Sequence, residues 1–296
     1  MHVVFVILHY ITTEDTILCV KSINKNVDYN DYSIVIVDNG SKNHSYEKLN
    51  EHFSKSKNIY IIRSEENLGF AKGNNMGIKY AKDKLEADFV VIINNDTLIM
   101  QNNFINKIIN VYNKEAFYIL GPDIISTKDN GHQNPHRNKI ASLKYARKMV
   151  IEFGMNFLFS YIYLDVLIYK IKNLFFSNKD LKHSNDDSNK EELVLHGSCL
   201  VFSPKYLKKF SGIYNNTFMY GEEEILFYIC KRLNLKVIYE PSIKILHKEG
   251  SATKTVYNKN FKKRNFYYKN KFKSSLQLYK IILQKDKIEN LLGGDS

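Results

Sequence analysis

The stretch FVVIINNDTLI, from Phe89 to Ile99, runs five apolar residues directly into two asparagines, an aspartate and a threonine. An uninterrupted apolar run of this length is typical of a strand that is buried on both faces, as strands of parallel sheets are. A carboxylate at the end of such a strand usually binds a ligand or an ion. The stretch therefore predicts a central strand and makes Asp96, with Asn94 and Asn95, a candidate for ligand binding.

Strand-like and helix-like segments alternate on both sides of this stretch. Apolar, β-rich runs predict strands at Val3–Leu8, Ser33–Val37, Ile59–Arg63, Phe89–Ile93 and Tyr118–Leu120. Helical patterns lie around Glu14–Ile23 and Gly73–Lys82. This alternation predicts an α/β fold with a mostly parallel sheet flanked by helices.

Three of the predicted strands end in polar or glycine-containing sequence. The segments are DNGS at 38–41, NLGF at 67–70 and NND at 94–96. In open α/β sheets the ligand binds in the crevice beyond the carboxyl ends of the strands. We therefore expect one binding site to which Asp38, Asn67, Gly69 and Asp96 contribute.

The net charge of +12 is concentrated in two segments. Residues 136–190 carry ten Lys and Arg against five Asp and Glu, and residues 251–296 carry eleven against three. Basic patches suit nucleic acid, anionic lipid or phosphorylated ligands, and a solvated lysine-rich surface explains them equally well.

Cysteine usage and the N-terminus bear on the compartment. Cys19, Cys199 and Cys230 have wide, unrelated spacings that indicate neither a disulfide framework nor a zinc site, so we expect reduced thiols. The apolar start from His2 to Leu8 lacks the basic residues and the cleavage site of a signal peptide, and predicts a first strand. We therefore expect a cytoplasmic protein.

Two common nucleotide-binding motifs are missing from the sequence. It contains no G-x-x-x-x-G-K-[ST], which excludes a P-loop, and no G-x-G-x-x-G after the first strand, which disfavours a dinucleotide-binding fold.

Six segments together resemble family 2 glycosyltransferases in order and approximate spacing. They are VVFVILHY (3–10), IVIVDNGS (34–41), ENLGFAKGNNMGI (66–78), VVIINNDT (90–97), LHGSCLVFSPKYLKKFSGIYNNTFMYGEEEILFYICKR (195–232) and ILHKEGSAT (245–253). The closest similarity is to the bacterial rhamnosyltransferase-like and capsule or O-antigen branch. The resemblance implies a Rossmann-like GT-A fold, a UDP- or dTDP-linked nucleotide-diphospho-sugar donor, a divalent metal and inversion at the anomeric carbon.

The resemblance also assigns metal and nucleotide roles. Asp96 matches the last aspartate of the family's D-x-D motif, whose first position is Asn94 here, and His247 completes the coordination of Mn²⁺ or Mg²⁺. Such a cation stabilises the charge left on the diphosphate when the sugar departs. Asp38 is expected to accept a hydrogen bond from a uracil or thymine ring. The remaining residues expected at the nucleotide or sugar, several of them in a loop before a helix N-terminus, are Asn67, Gly69, Lys72, Asn74, Asn94 and Asn95.

Three consecutive glutamates open a predicted helix in MYGEEEILFYICKR. The helix dipole alone favours acids there, and residues about 100° apart around a helix cannot all face one ligand. By the resemblance, Glu223 stands where the family has an aspartate that acts as general base, and Glu222 orients the acceptor or the base. His196 is expected to line the acceptor pocket.

Four segments are predicted along the chain. They are a nucleotide-sugar-binding half (1–130), a variable helical insert (131–192), an acceptor-binding and catalytic half (193–250) and a basic helical tail (251–296). Residues 149–176 are apolar and aromatic with basic flanks, yet Phe153–Tyr169 is too short to span a bilayer. The segment predicts either contact with a membrane surface or a packed helix or dimer contact.

The sequence thus predicts an enzyme that acts on a nucleotide-sugar donor and a glycan or lipid-linked glycan acceptor. A sugar-nucleotidyltransferase would need a Gly-rich, basic loop after the first strand, where His9-Tyr10-Ile11-Thr12 offers none. A catalytically inactive binding subunit is the other alternative. We expect no nucleic-acid partner, a location at the inner face of the cell membrane remains open, and so does a homo-oligomer.

Overall fold

The computed structural model describes residues 1–175, 192–249, 260–284 and 288–292, and their strands join in one eight-stranded sheet. In chain order the strands are β1 Val3–His9, β2 Tyr32–Asn39, β3 Ile59–Ser64, β4 Phe89–Asn94, β5 Thr97–Ile99, β6 Ile119–Ser126, β7 Cys199–Phe202 and β8 Val237–His247. Their order across the sheet is β3-β2-β1-β4-β7-β6-β8-β5.

Helices cover this sheet. They are α1 Thr13–Asn26, α2 Ser45–Phe53, α3 Gly69–Leu85, α4 Phe104–Glu115, α5 Leu143–Ser160, α6 Leu164–Phe175, α7 Pro204–Lys209, α8 Glu222–Arg232 and α9 Asn260–Leu283, followed by a 3-10 helix at Ile288–Leu292. The predicted α/β fold with a flanked sheet is confirmed.

The first four predicted strands form the parallel half of the sheet, β3-β2-β1-β4. Alternate residues of β1 supply two separate cores, with Val4 and Val6 on one face and Phe5 and Ile7 on the other. All four side chains are completely buried. Burial on both faces is why these strands are continuously apolar in sequence.

The other half of the sheet is mixed. Strand β7 runs antiparallel to β4 and β6, β8 runs parallel to β6, and β5 runs antiparallel to β8. The three-residue strand β5 was not predicted, because it follows β4 after only two turn residues. Strand β6 extends beyond the predicted Tyr118–Leu120, through Gly121-Pro122 to Ser126, with an irregularity in its pairing with β8 between Pro122 and Asp123.

The prediction that Gly69, Lys72 and Asn74 lie in a loop was wrong, because α3 begins at Gly69 rather than Gly73. Two asparagines allow the earlier start. The Asn67 Oδ1 accepts the Gly69 N–H at 2.9 Å, and the Asn39 Oδ1 accepts the Leu68 N–H at 2.9 Å. These side chains satisfy N–H groups that the first helical turn leaves without partners.

The predicted insert and tail contain helices. The apolar segment forms two helices, α5 and α6, separated by a turn at Tyr161–Tyr163, instead of one. Helix α9 packs along α5. Residues 176–191 of the insert and 250–259 around the start of the tail lie outside the described part of the chain. Among the helices described, none is both long and apolar enough to cross a membrane.

Gly77 permits the close packing of α3 on the sheet, which provides a test of the fold. A Cβ atom at Gly77 would lie 2.3 Å from Val6 Cγ1 and 2.9 Å from Val37 Cγ2, and both valines are completely buried. We expect Gly77→Ala to lower the free energy of unfolding by about 1–3 kcal/mol, although alanine normally favours a helix. Urea unfolding measures this change.

The matched control is Gly154→Ala in α5. Its Cβ would meet only the edge of the Phe272 ring, at 3.1 Å. We expect a smaller loss of stability there, because the partly buried Phe272 ring can shift more easily than two completely buried valine side chains of the sheet. A Gly77→Ala protein as stable as the wild type would contradict the packing of α3.

Candidate active site

Asp96 and His247 meet because β5 pairs with β8. In this ladder Thr97 lies opposite His247, so the residue before Thr97 is carried to the end of β8. The backbone N–H of Lys248 donates to the Asp96 carbonyl at 2.9 Å and fixes the turn. As a result, the Asp96 Oδ1 lies 3.3 Å from the His247 Nε2, and both side chains are buried.

A chain of hydrogen bonds behind His247 orients its ring. The His247 Nδ1 lies 2.8 Å from the Gln133 Oε1, and the Gln133 Nε2 donates to the Glu249 Oε1 at 2.5 Å. A hydrogen bond from Lys128 is the main cause that holds the pKa of Glu249 below its usual value. Glu249 therefore only accepts, Gln133 donates to it, and the His247 Nδ1–H donates to the amide oxygen.

In the tautomer that donates from Nδ1, the lone pair of the His247 ring lies at Nε2 and faces the Asp96 carboxylate. Two electron-rich atoms at 3.3 Å call for a proton or a cation beside them. Adjacent ligands of an octahedral ion at about 2.1 Å lie about 3 Å apart, so the pair suits Mg²⁺ or Mn²⁺. Metal-binding histidines also commonly donate their other N–H to an oriented acceptor, as His247 does.

The two donors would need additional ligands from elsewhere. Within the described ranges, no group of three His, Cys, Asp or Glu side chains is placed to hold a metal ion. Ions of this type are commonly bound by one or two protein carboxylates together with substrate phosphates and waters. Asp96 and His247 therefore fit a metal that is shared with a phosphorylated ligand.

A cavity of about 220 Å³ opens at this pair. Its lining combines residues from the ends of β1, β2 and β4 with the start of α3: Leu8, Tyr10, Asn39, Asn67, Gly69, Phe70, Asn94, Asn95, Asp96, Met219 and His247. The expected convergence of the strand ends is therefore present. Five of the predicted site residues with polar side chains line it: Asn67, Asn94, Asn95, Asp96 and His247.

Gly69 allows the start of α3 to approach the cavity. Its φ is +83°, and a Cβ would lie 2.2 Å from the Phe218 carbonyl oxygen. The next residue, Phe70, donates its N–H to the same carbonyl at 2.8 Å. Only glycine satisfies both constraints without strain, so the loop before α8 and the start of α3 form one wall.

Some predicted nucleotide contacts lie away from this lining. Asp38 is completely buried, where it accepts the Ser41 N–H at 3.2 Å and lies 3.3 Å from the Arg63 Nε. Asn74 is buried within α3 and donates to the Phe70 carbonyl at 3.0 Å. Lys72 lines a different cavity, of about 480 Å³. These three residues do not meet Asp96 at the 220 Å³ cavity.

Asn95 has a structural task at the cavity wall. Its Nδ2 donates to the Thr12 Oγ1 at 2.8 Å and to the Thr16 Oγ1 at 3.0 Å. These bonds hold the first turn of α1 against the turn that carries Asp96.

Glu222 and Glu223 open α8 with opposite electrostatics. Burial, reinforced by the charge of Glu223, raises the pKa of Glu222 from 4.5 to about 7. Burial alone would also raise the pKa of Glu223, but the positive charges of His196, when it is protonated in acid, and of Lys271 favour its carboxylate, and the pKa falls below its usual value. Neighbouring carboxyl groups with separated pKa values are typical of acid–base sites. Near neutral pH, Glu223 is ionised and Glu222 is partly protonated.

The motif around His196 receives the Glu223 side chain. The backbone N–H of Gly197 donates to the Glu223 Oε1 at 3.3 Å, and a Cβ at Gly197 would lie 2.7 Å from that oxygen. The His196 Nδ1 accepts the Ser198 N–H at 3.2 Å, and burial lowers the pKa of His196 to about 4. His196 is therefore neutral near pH 7 and carries its proton on Nε2.

Three imidazole rings connect the two parts of the site. The centroid of the His196 ring lies 5.6 Å from that of His247 and 5.7 Å from that of His136. His196 also interacts electrostatically with Glu223. The two residues expected at the metal, Asp96 and His247, thus lie next to His196 and Glu223, which were expected on the acceptor side.

The third glutamate has no place in this chemistry. Both Glu224 oxygens accept from the Arg137 guanidinium, at 2.8 and 2.9 Å, and Arg137 lies over the Tyr145 ring, 3.9 Å from its centroid. Glu224 therefore ties the segment before α5 to α8. The expectation that not all three glutamates face one ligand is confirmed.

Sequence reasoning missed several residues that build the site. Asn39 directly follows Asp38, and its Nδ2 donates to the Gly69 carbonyl at 3.1 Å. Gln133 and His136 come from the dense polar run GHQNPHRN, which was a readable signal. Lys271 comes from α9, where a lysine in a basic helix gives no indication of its position.

Comparisons with known proteins show what this chain is similar to. A family model described as "Glycosyl transferase family 2" matches residues 5–208. The low-salt glycan biosynthesis hexosyltransferase Agl10 of Haloferax volcanii is 26% identical over 206 residues, which are 69% of this chain and 54% of that protein. The glycosyltransferase GlyG of Streptococcus pneumoniae is 27% identical over 112 residues, 38% of this chain and 36% of that protein. The chain thus spans about half the length of Agl10, and less of GlyG.

Solved structures share the fold. The S. aureus TarS fragment 1-349 superposes with a TM-score of 0.55 over 97% of this chain and 66% of that chain, at 11% identity. GalNAc-T7 in complex with UDP, GalNAc and Mn²⁺ gives 0.55 over 88% of this chain and 49% of that chain, at 14% identity. At such identities the similarity concerns the fold alone, and it confirms the expected GT-A architecture.

The raised pKa of Glu222 predicts a pH-dependent effect on stability. A carboxyl whose pKa is about 7 when folded contributes stability below about pH 4.5 and loses it as the pH rises through 7. Glu222→Gln removes this loss. We expect the difference in free energy of unfolding between Glu222→Gln and the wild type to be about 1–3 kcal/mol more favourable to the variant at pH 8 than at pH 4.5. Urea unfolding at both pH values measures the difference.

Glu224→Gln is the control on the same helical turn. It breaks the pair with Arg137, so we expect a loss of stability at pH 8 instead of a gain. An effect of Glu222→Gln that is the same at both pH values would show that Glu222 is not held in its protonated form.

Proposed function

Because the chain belongs to glycosyl transferase family 2, we propose that it transfers a sugar from a UDP- or dTDP-linked nucleotide-diphospho-sugar to a hydroxyl of a growing glycan. The transfer inverts the anomeric carbon and requires Mn²⁺ or Mg²⁺. The observation that carries this proposal is the pairing of Asp96 with an oriented His247 at the cavity, where His196 contacts the His247 ring and interacts electrostatically with Glu223.

The donor occupies the cavity at the strand ends. Asp96 and His247 would hold the metal, which when bound neutralises charge that develops on the departing diphosphate. Asn67 and Asn94 offer amide groups at the wall for the nucleotide or sugar. Asp38 is proposed to accept a hydrogen bond from the uracil or thymine ring of the donor. Because its carboxylate is buried, this contact requires Ser41 or Arg63 to move.

Glu223 acts on the acceptor. Its carboxylate takes the proton of the acceptor hydroxyl as that oxygen attacks the anomeric carbon. The bond from this carbon to the diphosphate oxygen breaks, and its electron pair leaves with the nucleoside diphosphate. A single displacement needs one base and no enzyme nucleophile, as in inverting glycosidases. The Nε2–H of neutral His196 and the protonated form of Glu222 orient the acceptor by donating hydrogen bonds.

The proposal extends to the class of acceptor. We propose a lipid-linked bacterial surface glycan, of the capsule or O-antigen type, elongated at the inner face of the cell membrane by a rhamnosyl or hexosyl unit. Support comes from Agl10, whose name places it in low-salt glycan biosynthesis, and from TarS, which has been crystallised with UDP-GlcNAc.

Slow hydrolysis of the donor tests the activity without knowledge of the acceptor. The full chain is incubated with UDP-, dTDP- and GDP-sugars in Mn²⁺, and release of nucleoside diphosphate is recorded. We expect release from a uridine or thymidine donor, abolished by chelation. Release without any divalent metal would contradict the proposal.

Replacement of Asp96 tests the metal site. We expect Asp96→Ala to abolish transfer and to weaken UDP binding in Mn²⁺ in calorimetric titrations, because a carboxylate ligand is lost. Gln133→Met, which removes the acceptor for the His247 Nδ1–H, should weaken Mn²⁺ binding about 10–100-fold. Asp15→Ala is the control, since Asp15 pairs with Lys248 and does not line the cavity. Full turnover of Asp96→Ala would exclude this site.

Replacement of each glutamate identifies the base. We expect Glu223→Gln to retain donor binding and to lose about 10²–10⁴-fold in turnover, the usual contribution of a positioned base. Glu222→Gln should cost less, mainly as a higher KM for the acceptor. If the two variants exchange these behaviours, Glu222 is the base. A loss of only a few-fold in both would mean that α8 does not face the acceptor.

A further inference from the structure

Exposed apolar side chains are concentrated on α5, α6 and the turn between them. Of the thirteen large hydrophobic residues that are exposed in the described structure, nine lie there: Leu143, Ile151, Met155, Leu158, Tyr161, Ile162, Tyr163, Leu167 and Ile171. Leu158 is 66% exposed and Ile162 is 70% exposed. A concentration of this kind marks an interaction surface. We call Leu158 together with Tyr161–Tyr163 the apolar corner.

At the apolar corner, polar side chains are buried while apolar side chains are exposed. Asp165 is buried, and its Oδ2 accepts from the Arg264 Nε at 2.7 Å. Ser160 is completely buried, and its Oγ accepts from the Asn265 Nδ2 at 3.0 Å. These polar groups bind the corner to α9, while Leu158 and Tyr161–Tyr163 are each more than half exposed. The apolar surface is therefore held outward by specific bonds.

A basic stripe continues from the apolar corner along α5. Lys144, Arg147 and Lys148 line a shallow cavity of about 540 Å³ with Ile151 and Met155, at helical spacings of three and four. Glu152 is the one acidic residue of this lining. Cationic and apolar side chains thus share one face, which is the pattern of a helix that lies in a membrane interface.

We infer that this face docks on the surface of an anionic lipid bilayer, with the apolar corner inserted among the lipids and the basic stripe at the head groups. Charge favours this partner over a second copy of the chain. A symmetric dimer with parallel α5 helices would bring the two basic stripes together, and like charges repel. One with antiparallel α5 helices would bury each basic stripe against the partner's apolar corner, which leaves the buried charges unpaired. Anionic lipid attracts them instead.

Docking on a membrane would bring the enzyme to a lipid-linked acceptor. This link to the acceptor rests on the proposed function, whereas the docking itself does not. Helix α9 joins the apolar corner to the loop before Glu222: the Tyr267 ring lies 4.9 Å from that of Tyr220, and the Ser274 Oγ donates to the Met219 carbonyl at 3.5 Å. From Arg264 to Ser274 the helix extends about 15 Å. A docked corner therefore holds the catalytic carboxylates near the membrane, within reach of a sugar on a lipid carrier.

Flotation with vesicles tests the docking. The full chain is mixed with phosphatidylglycerol or phosphatidylcholine vesicles at low and high salt. We expect binding to phosphatidylglycerol that high salt weakens by screening. Leu158→Ser/Ile162→Ser should reduce binding at least 10-fold, and Lys144→Gln/Lys148→Gln by roughly 30-fold. The control Leu18→Ser/Met100→Ser removes two exposed apolar residues elsewhere and should bind like the wild type.

Three results would overturn the docking. They are no binding at any lipid composition, equal binding by the corner variant and the wild type, and a dimer in solution that Leu158→Ser/Ile162→Ser converts to monomer without vesicle binding. UDP titration in Mn²⁺ on the same samples separates the two proposals. A protein that floats but binds no nucleotide retains the docking and loses the proposed function, and the reverse result does the opposite.

Discussion

The antiparallel pairing of β5 with β8 is the interaction on which the site depends. Three residues of β5 carry the turn after β4 to the end of β8, and this brings a carboxylate from the first half of the chain to an imidazole from the second. Neither half can present both groups alone. Strand β5 has only three residues and lies at the sheet edge, yet its pairing with β8 is what places Asp96 beside His247.

Helix α8 divides three identical side chains among different tasks. Glu224 is neutralised by Arg137 and holds the segment that supplies Gln133 and His136. Glu223 remains ionised near neutral pH beside Lys271, and Glu222 stays partly protonated because it is buried next to another acid. Identity of residue type therefore says little here, and the neighbours supplied by distant elements decide the chemistry of each carboxyl.

The parallel half of the fold could be predicted from sequence because burial on both faces leaves a continuous apolar signal, as in Phe89–Ile93. The strand ends that follow these runs, including Asp96, were equally readable. Strand β5 was not, because only two turn residues separate it from β4. The early start of α3 was not either, because it depends on hydrogen bonds such as that which the Leu68 N–H donates to the Asn39 side chain, formed only after folding. Lys271 illustrates the limit: its position beside Glu223 depends on how a distant helix packs.

Helix α9 is, by composition, the kind of basic and aromatic tail that is often trimmed to make a protein easier to purify. Here trimming would remove Arg264 from the buried Asp165 and Lys271 from the surroundings of Glu222 and Glu223. A shortened chain that still folded would leave the Asp165 carboxylate without its partner. It would also change the electrostatic potential at Glu222 and Glu223. Rates measured on such a fragment would describe the chemistry of another molecule.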